Sequence, residues 1–170
     1  LLRRVRCGDV DAFEELYRIM KTPLYSYALR WVGNRSDAEE LVQETMLRLF
    51  TAVREGWLKN SPRAYAFSIA HNAAADLARR KQRIVVLDRP PAASAVRRTE
   101  RALMREEIHR ALDDLPEHHR SALLLREFGE LSYAEIAETL EVSLAQVKVW
   151  IFRARKRLCE LVDRDGQYVV

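Results

Sequence analysis

Residues 132–158, SYAEIAETLEVSLAQVKVWIFRARKRL, constrain this chain more than any other stretch. Ser132 with Glu135, and Ser143 with Gln146, each match the Ser-x-x-Glu/Gln capping box, in which both side chains satisfy free N–H groups at a helix start. Two starts this close leave Leu140-Glu141-Val142 as a turn of only a few residues, which is helix-turn-helix spacing. Ile136, Ala137, Leu140, Val142, Val147, Ile151 and Ala154 then fall on inward faces at three- and four-residue steps. Lys148, Arg153, Arg155, Lys156 and Arg157 are left for the outside. A short, rigidly held helix with outward cations suits a DNA major groove. An ordinary helical hairpin with a solvated basic face would carry the same charge. These residues suggest DNA but name no job.

Leu, Ala, Glu and Arg dominate the 170 residues, few glycines or prolines interrupt them, and no alternating run of β-branched residues suggests a sheet. The expected class is all-α. Net charge is +4 with a pI near 9.3, which fits a polyanionic partner without requiring one. Its distribution says more. Residues 63–83 hold five basic residues and one acidic, Asp76, and residues 146–164 hold six basic and two acidic. Asp37, Glu39, Glu40 and Glu44 instead gather in one acidic patch, so different faces are expected to meet different partners. Cys7 and Cys159 lie near opposite ends without metal spacing, and no structural disulfide is expected. With no signal peptide and no bilayer-length apolar run, the chain is expected in the reducing cytoplasm, without membrane insertion.

Helical spacing from Asp11 to about Trp31 places Phe13, Leu16, Tyr17, Met20, Leu24, Tyr27, Ala28 and Trp31 inward, with Pro23 predicting a kink or break near Thr22. Ser36-Asp37-Ala38-Glu39 reads as another capping box, opening a helix with Leu41, Val42, Thr45, Leu49 and Val53 inside. Residues 56–60 form a loop, and Ser61-Pro62 starts a helix to about Arg83. The stretch IVVLDRPPAASAV has paired prolines and no stripe, so it reads as a linker. Beyond it Leu103, Ile108, Ala111, Leu112 and Leu115 mark a further helix, and Pro116 opens another that Gly129 closes. Two small helical domains are predicted, each with its own core: residues 9–83 and 99–162, joined by a flexible linker over 84–98.

Trp57, Lys59 and Asn60 in the loop, and Tyr65, Phe67, His71 and Asn72 on the following helix, could stack on unpaired bases and read their edges while cations hold phosphates. Tyr65, Phe67 and Ile69 would serve equally as core, with Arg79-Arg80-Lys81 solvating the helix end. His118-His119 point about 100° apart on a helix and no thiol or carboxylate completes a metal site, so neither metal nor cofactor is expected. No glycine-rich phosphate loop, Gly-x-Ser-x-Gly or placed Cys–His pair is present, so the chain reads as no enzyme and offers no catalytic residue.

In order, DAEELVQETMLRLF, SPRAYAFSIAHNAAADLARRKQR, a linker and LDDLPEHHRSALLLREFGELSYAEIAETLEVSLAQVKVWIFRARKRL resemble an extracytoplasmic-function sigma factor of the sigma-70 superfamily, over nearly the whole chain from about Asp9 to Leu161. The resemblance implies a sigma region 2 and a sigma region 4 that bind core RNA polymerase and direct transcription initiation at promoter DNA. It assigns Asp37, Glu39, Glu40, Gln43 and Glu44 to the β′ clamp helices, with the β subunit as a further contact. Trp57, Lys59, Asn60 and Asn72 would open the minus-ten element and capture a flipped base, with Arg79 and Arg80 on phosphates. Gln146, Lys148, Val149, Trp150, Phe152, Arg153, Arg155, Lys156 and Arg157 would meet the minus-thirty-five element. Many relatives are held by an anti-sigma factor, and no stretch here declares one.

Three places depart from the family pattern. Glu141 replaces the usual turn glycine, at a cost of about 1 kcal/mol if it takes a left-handed conformation. Ala145-Gln146 replaces Gly-Thr, and Val149-Trp150 replaces a common Ser-Arg, which leaves the minus-thirty-five preference open. A stand-alone helix-turn-helix regulator is the alternative. It would show a ligand pocket or phosphoacceptor aspartate in place of an acidic docking face and a tethered second DNA-binding domain.

Overall fold

The computed structural model describes residues 1–58, 61–85, 108 and 110–164. They form helices α1 (Leu2–Arg6), α2 (Val10–Val32), α3 (Arg35–Glu55), α4 (Pro62–Val85), α5 (Glu117–Glu127), α6 (Tyr133–Leu140) and α7 (Leu144–Arg164), with no strand among the described residues. A helical turn over 110–113 precedes α5. Most of the predicted linker, the helix expected around Leu103, and the loop residues Lys59 and Asn60 lie outside the described residues. Among those described, no helix is long and apolar enough to cross a membrane.

The N-terminal half is a bundle of α2, α3 and α4, to which α1 adds a short flank. Leu16, Met20, Leu24 and Tyr27 of α2 meet Leu41, Val42, Met46 and Leu49 of α3 and Ala66, Phe67, Ala70 and Ala74 of α4 in one buried cluster. Val5 of α1 is fully buried in it, so the folded half begins before the predicted boundary at residue 9. The break expected near Thr22 does not occur, and α2 runs continuously through Pro23. Proline deprives the carbonyl four residues earlier of its donor. That residue, Ile19, lies half exposed on the outer face, while the buried stripe continues on both sides. The start of α3 also differs. Its cap is Asn34, whose Oδ1 accepts the Asp37 N–H at 3.0 Å while its Nδ2 donates to the Asp37 carboxylate at 2.7 Å. Ser36 lies inside the helix.

In the C-terminal half both predicted capping boxes form. The Ser132 N–H donates to Glu135 at 2.8 Å and the Ser143 N–H to Gln146 at 3.0 Å, and each serine oxygen accepts the return N–H at 3.2 Å. Ile136, Val147, Ile151 and Ala154 close the helix-turn-helix onto Leu124 and Leu125 of α5. Glu141 ends α6 at φ 55°, in the left-handed region.

The two predicted cores are not separate. Phe67 of α4 packs against Gly129 and Leu131, where a Cβ on Gly129 would sit 3.2 Å from the Phe67 ring and collide with the Leu125 carbonyl oxygen. The Arg63 guanidinium donates to the carbonyls of Gly129 and Phe128 and pairs with Glu130 at 3.2 Å. Ser61 caps α4 by accepting the Ala64 N–H at 3.1 Å and donates across the seam to Glu135 at 2.9 Å. Arg120 lies 4.3 Å over the Trp31 ring, and a desolvated cation on an indole is worth about 2 kcal/mol.

Glu141→Gly is expected to stabilise the protein by about 1 kcal/mol, because only glycine adopts this backbone region without a Cβ penalty. Urea unfolding measures it. An unchanged or lower midpoint would show that Glu141 carries no strain.

Candidate nucleic-acid interface

Three surfaces hold the residues singled out from the sequence. The first is the outer face of α7. Gln146, Lys148, Val149, Phe152, Arg153, Arg155, Lys156 and Arg157 are all exposed, with Phe152 at 68%. Lys148, Val149, Phe152 and Arg153 recur at helical steps opposite Val147, Ile151 and Ala154, so apolar and cationic groups share one outward strip. Two of the cations are engaged locally. Arg155 pairs with Glu127 at 2.6 Å and Arg157 with Glu160 at 3.6 Å. Trp150 takes a different direction. It is half-buried, with its ring 4.6 Å from His118 of α5, and it does not join the outward strip. The residue next to Ile151 sits on the inner flank of the helix, where an indole finds the histidine pair and Leu140.

The second surface lies at the start of α4. Gly56 ends α3 at φ 75°, and Trp57 follows with 63% of its surface exposed. On α4 the structure decides between the two roles open to its aromatics. Phe67 is fully buried with its ring edge-on to Tyr27 at 5.4 Å, so it is core. Tyr65 is half-buried and packs on the core, whereas Asn72 is exposed. Ten residues of helix separate Asn72 from Pro62, about 15 Å of rise, so it does not adjoin Trp57. It lines a groove with Asp37, Glu40, Glu44, Asp76 and Arg80. Arg79 pairs with Asp76 at 2.7 Å and reaches across the seam to Glu117 at 3.6 Å.

The third surface is the outer face of α3. Glu39, Glu40, Gln43 and Glu44 are exposed, Asp37 is partly exposed at the first turn, and Glu44 pairs with Arg48 at 2.5 Å. Leu47, 66% exposed, continues the row from Glu40 through Gln43 and Glu44. Sequence reading passed over it. Its i+3/i+4 spacing from the acids was the signal available.

His71 sits where the halves meet. Its Nδ1 and the Tyr27 hydroxyl share a hydrogen bond of 3.0 Å, its ring is edge-on to Trp31, and Glu117, His118, Ser121, Leu140 and Trp150 complete the pocket. Burial, helped by the Arg79 cation, pushes the imidazole down to about 4, and burial pushes the Tyr27 phenol up. Both are neutral at ordinary pH.

The sequence matches sigma-70 region 2 over residues 16–84 and sigma-70 region 4 over residues 105–158. It is 34% identical to the ECF RNA polymerase sigma factor SigE of Mycolicibacterium smegmatis, over 92% of this chain and 64% of that one. To the RNA polymerase sigma factor YlaC of Bacillus subtilis it is 30% identical, over 87% of this chain and 90% of the relative. In fold it is similar to the sigma factor RpoE in the complex with the anti-sigma factor NepR from Bartonella quintana. The TM-score is 0.72 at 22% identity, over 89% of this chain and 97% of that one.

The buried imidazole makes stability depend on pH. Because its folded-state value is depressed, the unfolded chain binds the proton first, and stability falls as pH drops from about 6.5 toward about 4. The loss attributable to this group approaches about 3 kcal/mol at the lower end. His71→Gln is expected to flatten that part of the profile relative to the parent. Thermal midpoints between pH 7 and 4 check it, and parallel profiles would remove His71 as the cause.

Proposed function

We infer this chain's work from its membership: it belongs to the sigma-70 family of RNA polymerase sigma factors, in the extracytoplasmic-function group, and it directs promoter-specific transcription initiation. Its partners are core RNA polymerase and promoter DNA, met in the cytoplasm, and it performs no chemistry of its own. Residues 9–83 act as region 2, 84–98 as the linker and 99–162 as region 4. The acidic row on α3, with Leu47 in its midst, docks on the β′ clamp helices. The loop from Trp57 to Asn60, with Asn72, Arg79 and Arg80, handles the minus-ten element. The strip of Lys148, Val149, Phe152 and Arg153 reads the minus-thirty-five element, and Gln146, Arg155, Lys156 and Arg157 flank it. Trp150 supports that strip from behind by packing against His118.

The observation that carries this reading is the α7 strip. Two cations and two apolar side chains stand exposed on a helix that two capping boxes and a buried seam hold rigid. That is how a recognition helix presents side chains to base edges and thymine methyls. The direct test is run-off transcription. Core polymerase alone initiates without specificity, and adding the purified chain is expected to give discrete start sites from promoters selected out of a random library. No discrete start would overturn the reading. An anti-sigma partner, of the kind named in the RpoE complex, is a further expectation for this chain.

Readers and anchors on α7 are separable. Lys148→Ala or Arg153→Ala is expected to change which minus-thirty-five sequences are preferred, by roughly 1–3 kcal/mol per lost contact. Lys156→Ala, which removes a phosphate-type contact, is expected to weaken all promoters alike and reduce the salt slope by about one unit. Holoenzyme binding to a library varied only in that element, at two salt concentrations, measures both. Uniform scaling by all three would make the helix an electrostatic clamp.

Charge reversal on α3, Glu40→Lys with Glu44→Lys, is expected to weaken core binding and leave the thermal midpoint in place. Each exposed pair is worth about 1 kcal/mol or less, so the double change is the informative one. Unaltered core affinity at moderate salt would detach this face from polymerase.

A further inference from the structure

The helix α1, LRRVR, lies before the matched region 2 and none of its residues has a role in the reading above. It is held firmly for so short an element. Val5 is fully buried, and the Arg4 guanidinium donates to the Asp9 carboxylate at 2.8 Å. Asp9 in turn caps α2 by accepting the Ala12 N–H at 3.0 Å. This elbow fixes where Arg6 points. Its guanidinium lies against Gly56, the residue that leads into Trp57, and a Cβ on Gly56 would sit 3.0 Å from Nη2 and 3.3 Å from Cζ. Gly56 therefore provides both the left-handed turn and the space for a cation.

Arg6 is exposed, and among the described residues it makes no ion pair and no hydrogen bond. A cation that served only to cap α3 would donate to one of that helix's last carbonyls, and this one does not. Trp57, the next residue after Gly56, keeps 63% of its surface exposed. An unpaired guanidinium held against the residue that precedes an exposed indole suits one nucleotide of an unpaired strand, the ring taking the base and the fork taking the phosphate. We propose that Arg6 contacts a backbone phosphate of the unpaired DNA strand at the Trp57 loop, extending the minus-ten surface onto α1. The proposal rests on the reading that this loop handles melted minus-ten DNA.

The test uses holoenzyme on a promoter recovered by the library selection, prepared as a fork-junction probe with the minus-ten strand unpaired and as a fully paired duplex. Arg6→Gln is expected to weaken fork-junction binding and reduce its salt slope by about 0.7 unit, the value for one phosphate of a single strand. Duplex binding through the minus-thirty-five element stays at the parent level, and Arg6→Lys recovers the slope. An unchanged slope for Arg6→Gln, with or without a loss of affinity, overturns the phosphate contact, since a purely structural arginine leaves the slope alone. Trp57→Ala, measured in parallel, separates the two ideas. If it impairs fork-junction binding while Arg6→Gln does not, the loop reading stands and the Arg6 contact fails. If neither substitution matters, both fail.

Discussion

Arg63 satisfies polar groups that the chain could not otherwise bury. The last carbonyls of α5 have no intrahelical donors, and the turn through Phe128 and Gly129 faces α4 where water is being excluded. One guanidinium reaches both carbonyls, pairs with Glu130 and lies 5.8 Å over the Phe67 ring. A cation at the C-terminal end of a helix is also favoured by the dipole. Gly129 then lets the Phe67 ring come close enough to seal the contact. Polar satisfaction and apolar closure fall at one spot, so the two halves dock in one register. An uncharged residue at position 63 would leave carbonyls buried and unpaired, which costs about 1–3 kcal/mol per group.

This docking divides the surface. Residues that face the seam are Ser61, Arg63, His71, Arg79 and Arg120, while the acidic row on α3 and the cationic strip on α7 face away from it. Arg79 and Trp150 were both assigned to DNA from the sequence, and both are occupied where the halves meet. Arg79 bridges to Glu117, and Trp150 packs against His118 beside the His71 pocket. The same contacts that keep the halves together therefore give one exposed cation an acidic partner across the seam and turn one large aromatic inward. An anionic strand approaching Arg79 has to compete with Glu117 for it.

Local chemistry was legible and tertiary choice was not. The paired capping boxes at Ser132 and Ser143, the serine cap of α4 and the left-handed Glu141 all follow from side chains acting on their own backbone, and each forms. Asn34 was missed because Asn34–Asp37 and Ser36–Glu39 compete at the same spacing, and only the geometry of the incoming chain decides between them. Pro23 misled because its local cost is overridden by a stripe buried on both sides. The seam had no signature at all, since Arg63, Gly129 and Glu135 are far apart in sequence and ordinary one at a time. For Trp150, helical phase alone placed it at the margin between inner and outer faces. The histidine pair on α5 tipped it inward.

The chain has three tryptophans, and the fold has put each in a different place. Trp31 lies under Arg120 at the seam, Trp57 stands in solvent at the turn between α3 and α4, and Trp150 lies against an imidazole on the inner flank of α7. Their indoles thus sit in three unlike surroundings: cation-capped and dry, open to water, and packed against an imidazole. The protein is labelled by its own sequence. Emission from single-tryptophan versions would follow the seam, the α3–α4 turn and the inner flank of α7 as three optical channels, with no dye attached.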